Sequence, residues 1–207
     1  MKLTVNIVIL DYGMGNIKSI KSVLKYIGVT DIKISNHHAD IEGADKLILP
    51  GVGAFNEAIN NIKQKNLENI LTETVMIQKK PILGICLGMQ LMCRSSDENG
   101  KNDGLGFIEA EVTRFESGIK VPHVGFNQVA IKNNLKLYHE MSGVMDFYFT
   151  HSFKMNSESN INQCECEYGE YTFIASFEVD NIAGVQFHPE LSQTNGIKLI
   201  KNFVEKL

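Results

Sequence analysis

Short apolar runs that end in glycine-rich turns constrain the fold of this chain more than any other feature of its first half. The runs lie at residues 5–10, 47–49 and 81–83, and a further strand-like run spans 32–34. Such runs are typical of strands buried on both faces of a parallel sheet. Residues at helical spacing separate the runs, and this alternation predicts βαβ units and therefore an α/β fold.

The pattern changes after residue 106. Strand-like runs at 107–115, 127–131, 146–149 and 171–179 follow one another without long helices between them, which predicts a more antiparallel second half. Helical spacing returns over 192–207, where we expect a helix that closes the sheet. Because 207 residues suit one core of this kind, a single domain over residues 1–207 is expected.

Composition argues against several classes of function. The 20 basic and 24 acidic residues leave no basic excess, so nucleic acid is not expected as a partner. The four cysteines lack paired zinc spacing, and neither a metal site nor a cofactor is predicted. We find no signal-peptide core and no membrane span in the sequence, and expect a cytoplasmic protein with reduced thiols that does not contact a membrane.

The segment around Cys86 has the form G-x-C-x-G between an apolar strand and a helix-like run. The same arrangement with serine is the nucleophile elbow, in which a sharp turn exposes the reactive side chain. A thiol there would lie at a helix N-terminus, which favours the thiolate. The helix is expected to reach Cys93, and the polar stretch 95–103 to be a surface loop. Alternatively, Cys86 is one more small buried residue, as most free cysteines are.

A partner base for Cys86 is found near the C-terminus, in the sequence His188-Pro189-Glu190. Proline disfavours helical geometry at the preceding residue, so His188 is expected to be extended, with His188 and Glu190 on the same side of the chain. An imidazole that pairs with a thiol and a carboxylate that orients the imidazole are the parts of a catalytic triad.

A thiolate that attacks an amide carbonyl creates an oxyanion, which needs two N–H donors. One is the N–H of Leu87, the residue after the nucleophile, and we expect the other near Gly53 in the loop 51–53. This loop also has a simpler interpretation as an ordinary glycine turn. The turn at Gly13 and Gly15 suggests a dinucleotide site, but Lys18 stands where a third glycine is needed, so that site is not favoured.

Seven motifs across nearly the whole chain resemble those of class I glutamine amidotransferases, and among these the glutaminase subunit of imidazole glycerol phosphate synthase. They are DYGMGNIKS at 11–19, LPGVGAF at 49–55, GICLGMQ at 84–90, VPHVGFN at 121–127, YFTHSF at 148–153, QFHPE at 186–190 and GIKLIKNF at 196–203. The resemblance implies a three-layer α/β fold with a mixed, mostly parallel central sheet, flanking helices and a more antiparallel C-terminal half.

The resemblance also implies an enzyme that hydrolyses L-glutamine to glutamate and ammonia. Cys86 would attack the side-chain amide, His188 would move the protons and Glu190 would hold His188. The residues implied to bind substrate are Gly51, Val52, Gln90, His151, Ser152 and Phe153. For His151 a second interpretation, a satisfied residue at a strand end whose backbone matters more than its ring, stays equally open.

In this family the ammonia passes to a (β/α)8-barrel cyclase, with which the glutaminase forms a heterodimer. The cyclase makes imidazole glycerol phosphate and the purine intermediate AICAR in histidine biosynthesis. The residues implied at the partner interface are Asn16, Pro122, Phe126, Tyr148 and Leu191. Because glutaminase activity without the partner wastes glutamine, we expect docking or a cyclase ligand to organise the oxyanion loop.

Two positions depart from the family. Phe126 and Leu191 stand where tryptophan and lysine are common, which leaves open a paralogous glutaminase that feeds ammonia to sugar amidation in surface polysaccharide synthesis. A stand-alone cysteine hydrolase or peptidase would not need the GVG loop, the His-x-Glu pair and the docking motifs together. A catalytically silent binding module would be expected to lack a triad residue, and all three are present.

Overall fold

Thirteen strands and six α-helices make up the described part of the chain. The computed structural model describes residues 3–116, 118–132, 135–157, 159 and 161–207. The strands are β1 (Leu3–Leu10), β2 (Val29–Ser35), β3 (Lys46–Leu49), β4 (Ile82–Ile85), β5 (Cys93–Ser96), β6 (Asn102–Asp103), β7 (Ile108–Arg114), β8 (His123–Ala130), β9 (Val144–His151), β10 (Phe153–Asn156), β11 (Asn162–Tyr168), β12 (Tyr171–Val179) and β13 (Ile182–Val185). The helices are α1 (Ile17–Tyr26), α2 (His38–Gly43), α3 (Phe55–Gln64), α4 (Leu67–Leu71), α5 (Leu87–Leu91) and α6 (Gln193–Lys206), with a π-helical turn at Thr72–Ile77 and 3₁₀ turns at Lys136–Tyr138 and Pro189–Leu191.

A nine-stranded mixed sheet has the order β2-β1-β3-β4-β13-β12-β11-β8-β9. The strands from β2 to β13 are parallel neighbours, and the pairs from β13 to β9 are antiparallel. The predicted fold class is therefore confirmed, including the more antiparallel second half. Because β4 lies between β3 and β13, the ends of these three strands converge at the turn that carries Cys86.

Apolar side chains fill two cores, one on each face of the large sheet. Along β1, Ile7 and Ile9 belong to the core that α1 and α6 cover, whereas Val8 and Leu10 belong to the core that α3, α4 and α5 cover. Successive side chains of a strand point to opposite faces, so a strand between two helical layers is apolar along its length. The result is the three-layer arrangement. None of the helices in the described ranges combines the length and the apolar character needed to cross a membrane.

A separate four-stranded sheet, in the order β10-β7-β5-β6, corrects two expectations. Helix α5 ends at Leu91, so Cys93 begins strand β5 instead of continuing the helix. The stretch 95–103 contains the end of β5 and all of β6, which pair as a hairpin. The physical reason is local backbone pairing, since Leu105 N–H donates to the carbonyl of Leu91 at 2.8 Å and Gly104 N–H to that of Arg94 at 2.8 Å.

Candidate active site

Cys86 occupies a strained turn between β4 and α5. Its φ of 53° and ψ of −110° are unusual for a residue with a side chain, and strain of this kind persists only where the surroundings hold it. The flanking glycines allow the turn. A Cβ on Gly84 would lie 2.7 Å from the backbone nitrogen of Met89, and a Cβ on Gly88 would overlap the carbonyl oxygen of Leu49. The strand, turn and helix expected around Cys86 are thus present.

His188 and Glu190 form a buried pair. His188 Nδ1 lies 2.9 Å from Glu190 Oε1, with the two side chains 3% and 0% exposed. The backbone at His188 is extended, with φ −100° and ψ 94°, and its N–H donates to the carbonyl of Tyr148 at 2.8 Å. Asn16 Nδ2 donates to the same Glu190 oxygen at 3.3 Å. Proline thus has the expected effect, and both side chains lie on one side of the chain.

The electrostatics of His188 favour its protonated form. Burial by itself lowers the pKa of the imidazole, but its interactions with Cys86 and Glu190 outweigh burial and raise the pKa to about 10. Among the described residues, Nε2 of His188 is buried without a hydrogen-bond partner. A protonated imidazole held by a carboxylate at Nδ1 can therefore stabilise a thiolate and deliver a proton from Nε2.

A cavity of about 250 Å³ opens beside Cys86. Its lining includes eight residues that the sequence analysis assigned to catalysis or substrate binding. They are Val52, Gly53, Cys86, Leu87, Gln90, His151, Ser152 and Phe153. The structure therefore brings the segments that follow β3 and β4, and the end of β9, to one small chamber, although they are distant in sequence.

Gly51, predicted to bind substrate, is not among the residues that line this cavity. A Cβ on Gly51 would lie 2.7 Å from the hydroxyl of Tyr12 and 2.8 Å from the backbone nitrogen of Gly88. The Tyr12 hydroxyl donates to the carbonyl of Pro50 at 2.6 Å, and burial raises the pKa of Tyr12 well above its usual value. The absence of a side chain at Gly51 thus lets the loop 51–53 pack closely on the turn that carries Cys86. The hydrogen bond from Tyr12 to Pro50 holds this loop in place.

His151 lines the cavity at the end of β9, but its ring is already engaged. Nδ1 lies 2.8 Å from the carbonyl oxygen of Phe153, and Nε2 lies 3.1 Å from Nδ1 of His123. The side chain of His151 is therefore satisfied inside the protein. Of the two interpretations left open by the sequence, these contacts favour the one in which the backbone faces a ligand.

Glu98, which no sequence motif predicted, also lines the cavity. Its Oε2 accepts a hydrogen bond from the backbone N–H of Phe55 at 2.8 Å, which fixes the carboxylate at the start of α3. Among the described residues, Glu98 is the one acidic side chain in the lining. Glu98 lies in the polar stretch 95–103, which predicts a surface loop, and nothing in the sequence distinguishes Glu98 from Asp97.

The five residues predicted at a partner interface lie around the same region. Phe126 is 49% and Leu191 42% exposed. The rings of Phe126 and Tyr148 meet edge to face at a centroid distance of 5.5 Å, and Pro122 lines the cavity. Asn16 contacts Glu190 of the buried pair through its side chain, whereas Tyr148 and Leu191 contact His188 through backbone hydrogen bonds. Exposed apolar side chains next to a reactive centre are a common feature of a docking surface.

No group of three or more His, Cys, Asp and Glu side chains in the described ranges is placed to hold a metal ion. The remaining cysteines are also poor candidates for chemistry. Cys93, Cys164 and Cys166 are buried, and burial raises the pKa of Cys93 and of Cys166 to about 12. Thiols of this kind stay protonated and unreactive.

Comparison with known proteins places these features in a family. The model for "Glutamine amidotransferase class-I" matches residues 8–207. "Imidazole glycerol phosphate synthase subunit HisH 1" of Campylobacter jejuni strain RM1221 is 44% identical over 200 residues, which cover 96% of this chain and 98% of the relative. "Imidazole glycerol phosphate synthase subunit HisH" of Aquifex aeolicus is 40% identical over 200 residues, with 96% of each chain covered.

A solved structure described as a glutamine amidotransferase has the same fold. It superposes with a TM-score of 0.76 at 20% identity and covers 96% of this chain and 97% of its own. Identity this low supports the architecture only.

Proposed function

Since this chain belongs to the class I glutamine amidotransferase family, we propose that it is the glutaminase subunit of imidazole glycerol phosphate synthase. It hydrolyses L-glutamine to glutamate and ammonia in histidine biosynthesis. Residues 1–207 act as a single amidotransferase domain in the cytoplasm. The observation that carries the proposal is the buried His188–Glu190 pair, with its 2.9 Å contact, coupled to a strained Cys86 at the wall of a small cavity.

The chemistry begins with attack of the Cys86 thiolate on the side-chain amide carbon of glutamine. The carbonyl oxygen becomes an oxyanion, which the backbone N–H groups of Leu87 and Gly53 stabilise; both residues line the cavity. Protonated His188 then delivers a proton to the amide nitrogen, and the C–N bond breaks to release ammonia and leave a glutamyl thioester.

Water completes the cycle. Neutral His188 removes a proton from a water molecule, which attacks the thioester carbonyl, and collapse of the second tetrahedral intermediate releases glutamate and the Cys86 thiolate. Glu190 holds Nδ1 of His188 in both steps, so that Nε2 is the atom that exchanges protons. The net reaction consumes one water and yields glutamate and ammonia.

The cavity wall supports an amino-acid substrate. The Glu98 carboxylate is placed to attract the α-ammonium group, and its position is set by the hydrogen bond from Phe55 N–H at 2.8 Å. Gln90 uses Nε2 to donate to the carbonyl of Phe153 at 3.0 Å and to Gln186 Oε1 at 2.9 Å, which leaves its own carbonyl oxygen to accept from substrate. Val52 and the backbone of Ser152 complete the walls.

Ammonia must leave this site without entering bulk water, because water protonates it to the ammonium ion, which is not a nucleophile. We propose that a (β/α)8-barrel cyclase docks over Asn16, Pro122, Phe126, Tyr148 and Leu191 to form a heterodimer. The cyclase receives the ammonia and makes imidazole glycerol phosphate and AICAR. Support comes from the exposed apolar side chains of Phe126 and Leu191, which a partner would cover.

Residues 11–16, where the partner would dock, contact the loop 51–53 that carries the oxyanion donor Gly53. Tyr12, in the segment that precedes Asn16, donates to the carbonyl of Pro50 at 2.6 Å, and a Cβ on Gly53 would lie 2.6 Å from Cε of Met14. A partner that displaces residues 11–16 would therefore also displace the loop that carries Gly53. Through Asn16, it would displace Glu190 as well. This packing supports activation of the glutaminase by its partner.

The test is glutamate release by the purified chain, alone and with the histidine-pathway cyclase of the same organism and its nucleotide ligand. We expect stimulation of at least about tenfold by barrel and ligand together, equivalent to about 1.4 kcal/mol in the barrier. A Cys86→Ala chain serves as the blank. Glutamate release that survives this change contradicts the proposed nucleophile.

A second candidate is a paralogous glutaminase that feeds ammonia to sugar amidation in surface polysaccharide synthesis. It is favoured by the apolar Leu191, 42% exposed, at a position where the family commonly has a lysine. The same experiment separates the two candidates. A barrel that neither binds nor stimulates, while Cys86 still reacts with a glutamine-analogue electrophile, assigns the glutaminase to another acceptor.

A further inference from the structure

We infer that Gln186 is a positioning residue of the glutaminase, which donates a hydrogen bond to the sulfur of Cys86 and fixes the carboxamide of Gln90. This inference rests on the proposed function and adds to it a residue outside the Cys86, His188 and Glu190 set. It is carried by a chain of hydrogen bonds that joins the wall of the cavity to the nucleophile.

Gln186 is fully buried, with 0% of its surface exposed. It follows β13 and lies two residues before His188, and its backbone N–H donates to the carbonyl of Ala175 at 2.8 Å. Its side chain contacts Gln90 at 2.9 Å on one side and the sulfur of Cys86 at 3.7 Å on the other. A buried amide in a core must be hydrogen-bonded, and these contacts satisfy both ends of it.

The orientation of the two amides follows from one carbonyl group. The carbonyl of Phe153 can only accept, so the atom of Gln90 that lies 3.0 Å from it is the NH2 group. The same NH2 group lies 2.9 Å from Gln186, and it therefore meets the oxygen of Gln186. This leaves the NH2 group of Gln186 facing Cys86, so the interaction with sulfur is a donated hydrogen bond.

This hydrogen bond distinguishes the two ionisation states of Cys86. The thiol can donate its own proton to the carbonyl of Thr150, at an S···O distance of 3.8 Å. The thiolate has no proton to donate, and its negative charge gains most from the N–H of Gln186 and from protonated His188. Hydrogen bonds to charged groups are roughly twice as strong as neutral ones, so Gln186 shifts the balance toward the nucleophilic form.

The same side chain also acts on the substrate pocket. By accepting from Gln90, Gln186 turns the carbonyl oxygen of Gln90 away from the core, where it is available to the cavity that Gln90 lines. Loss of the acceptor would free the Gln90 amide to rotate. Gln186 thus links the orientation of the Gln90 carboxamide, which contacts substrate, to the ionisation of the Cys86 thiol.

Two substitutions separate these roles. Gln186→Glu keeps an oxygen that accepts from Gln90 but replaces the donor that faces sulfur with a second oxygen. Gln186→Met keeps the length of the side chain and removes both interactions. We expect Gln186→Glu to lower kcat by about 10- to 100-fold with little change in KM, as for loss of a hydrogen bond to a charged group, and Gln186→Met also to raise KM.

The decisive readout is the rate of Cys86 alkylation by iodoacetamide as a function of pH. In both variants the midpoint of the profile should move to higher pH by at least about one unit, which corresponds to a tenfold change in the ionisation equilibrium. A residue that merely fills space would lower the melting temperature without moving this midpoint. Wild-type midpoints and wild-type kcat in both variants overturn the inference.

A matched control is Asn202→Asp, which also places a carboxylate at a buried amide. Asn202 is 2% exposed and donates to the carbonyls of Leu137 and His139, away from the cavity. It should lose stability but keep the wild-type alkylation midpoint. If neither Gln186 variant folds, the wild-type chain is labelled with ¹⁵N-glutamine and the side-chain amide resonance of Gln186 is followed as a function of pH. We expect this resonance to titrate with the midpoint of the Cys86 alkylation profile. A resonance that does not change with pH contradicts the inference. Glutamate release that survives the Cys86→Ala change, by contrast, refutes the proposed nucleophile itself.

Discussion

His123 Nδ1 lies 3.1 Å from His151 Nε2 in the interior of the molecule, and the surrounding hydrogen bonds assign the protons of both rings. His151 Nδ1 faces the carbonyl of Phe153 at 2.8 Å and therefore carries a proton. Its Nε2 accepts from Nδ1 of His123, whose Nε2 in turn faces the Asn127 amide at 3.3 Å. Both histidines are thus neutral, and protonation of either one breaks the chain.

The pH dependence of stability follows from this pair. Burial lowers the pKa of His123 to about 4. Burial, with smaller contributions from His123 and His188, lowers the pKa of His151 to about 3 despite its hydrogen bond to Phe153. Unfolded histidines titrate near 6.5, so below that pH the unfolded state binds more protons. The free energy of unfolding should fall as the pH drops from about 6.5 to 4, by at most about 1.4 kcal/mol per pH unit for each ring.

The measurement is denaturant unfolding between pH 4 and 7, compared with His123→Asn. Asparagine keeps a donor near Nδ1 but does not titrate, so the slope of the variant should be smaller by the contribution of one ring. The difference between the two chains also removes the opposing titration of Glu178, whose carboxylate pKa is raised by burial. The difference likewise cancels the opposing slope of His188 toward pH 7, where the raised pKa keeps the folded imidazole protonated while the unfolded imidazole loses its proton. Equal slopes would refute the assignment.

Cys86→Ala should abolish glutamate production and leave the fold intact. Cys86 is 6% exposed, and the loss of one sulfur at the wall of a cavity costs little packing. A complex of the variant with the barrel should still use added ammonium salts, since only the supply of ammonia is lost. Glutaminase and ammonium-dependent rates are measured side by side, and loss of both would point to misfolding instead of a lost nucleophile.

Gly88→Ala should damage both stability and activity. The added Cβ would overlap the Leu49 carbonyl oxygen, which is backbone and cannot move aside cheaply. Overpacking of this kind costs about 1–3 kcal/mol or more, and any relaxation displaces the turn that holds Cys86. Thermal unfolding and glutamate release are the readouts.

Gly43→Ala is the matched control for that change. Gly43 lies at the end of α2, and a Cβ there would meet nothing within 4 Å. Alanine at such a position is neutral or stabilising by up to about 1 kcal/mol. A Gly88→Ala chain that is as stable and active as Gly43→Ala would show that the turn is not as tight as its geometry indicates.

Glu98→Gln should raise KM for glutamine by about 10- to 100-fold, as for loss of a charge-assisted hydrogen bond, with a smaller effect on kcat. Glutamine at this position keeps an oxygen for the N–H of Phe55, so the loop stays in place and only the charge is lost. Wild type should discriminate strongly against a substrate that lacks the α-ammonium group, and the variant should not. The neighbouring Asp97→Asn, on an exposed residue outside the cavity lining, is expected to behave as wild type. Unchanged discrimination in Glu98→Gln would remove Glu98 from the substrate site.

Local sequence patterns predicted most of the elements that build the site. The apolar run that became β1 and the alternation of strands and helices gave the parallel half of the sheet. The prediction failed at Cys93 and at 95–103, where helical and turn-like sequences form β5 and β6. The pairing of these strands depends on backbone groups of residues 104–107, and such contacts leave no periodic signal in the sequence.

The sequence by itself determined the geometry that depends on neighbouring residues. Glycines on both sides of Cys86 permit a strained turn, and Pro189 keeps His188 extended, so that His188 and Glu190 meet at 2.9 Å. Only the tertiary structure decided which distant groups complete the site. Glu98 and Gln186 are an ordinary polar residue and an ordinary amide in the sequence. They become candidate site residues because folding places Glu98 at the wall of the cavity and the NH2 group of Gln186 3.7 Å from the sulfur of Cys86.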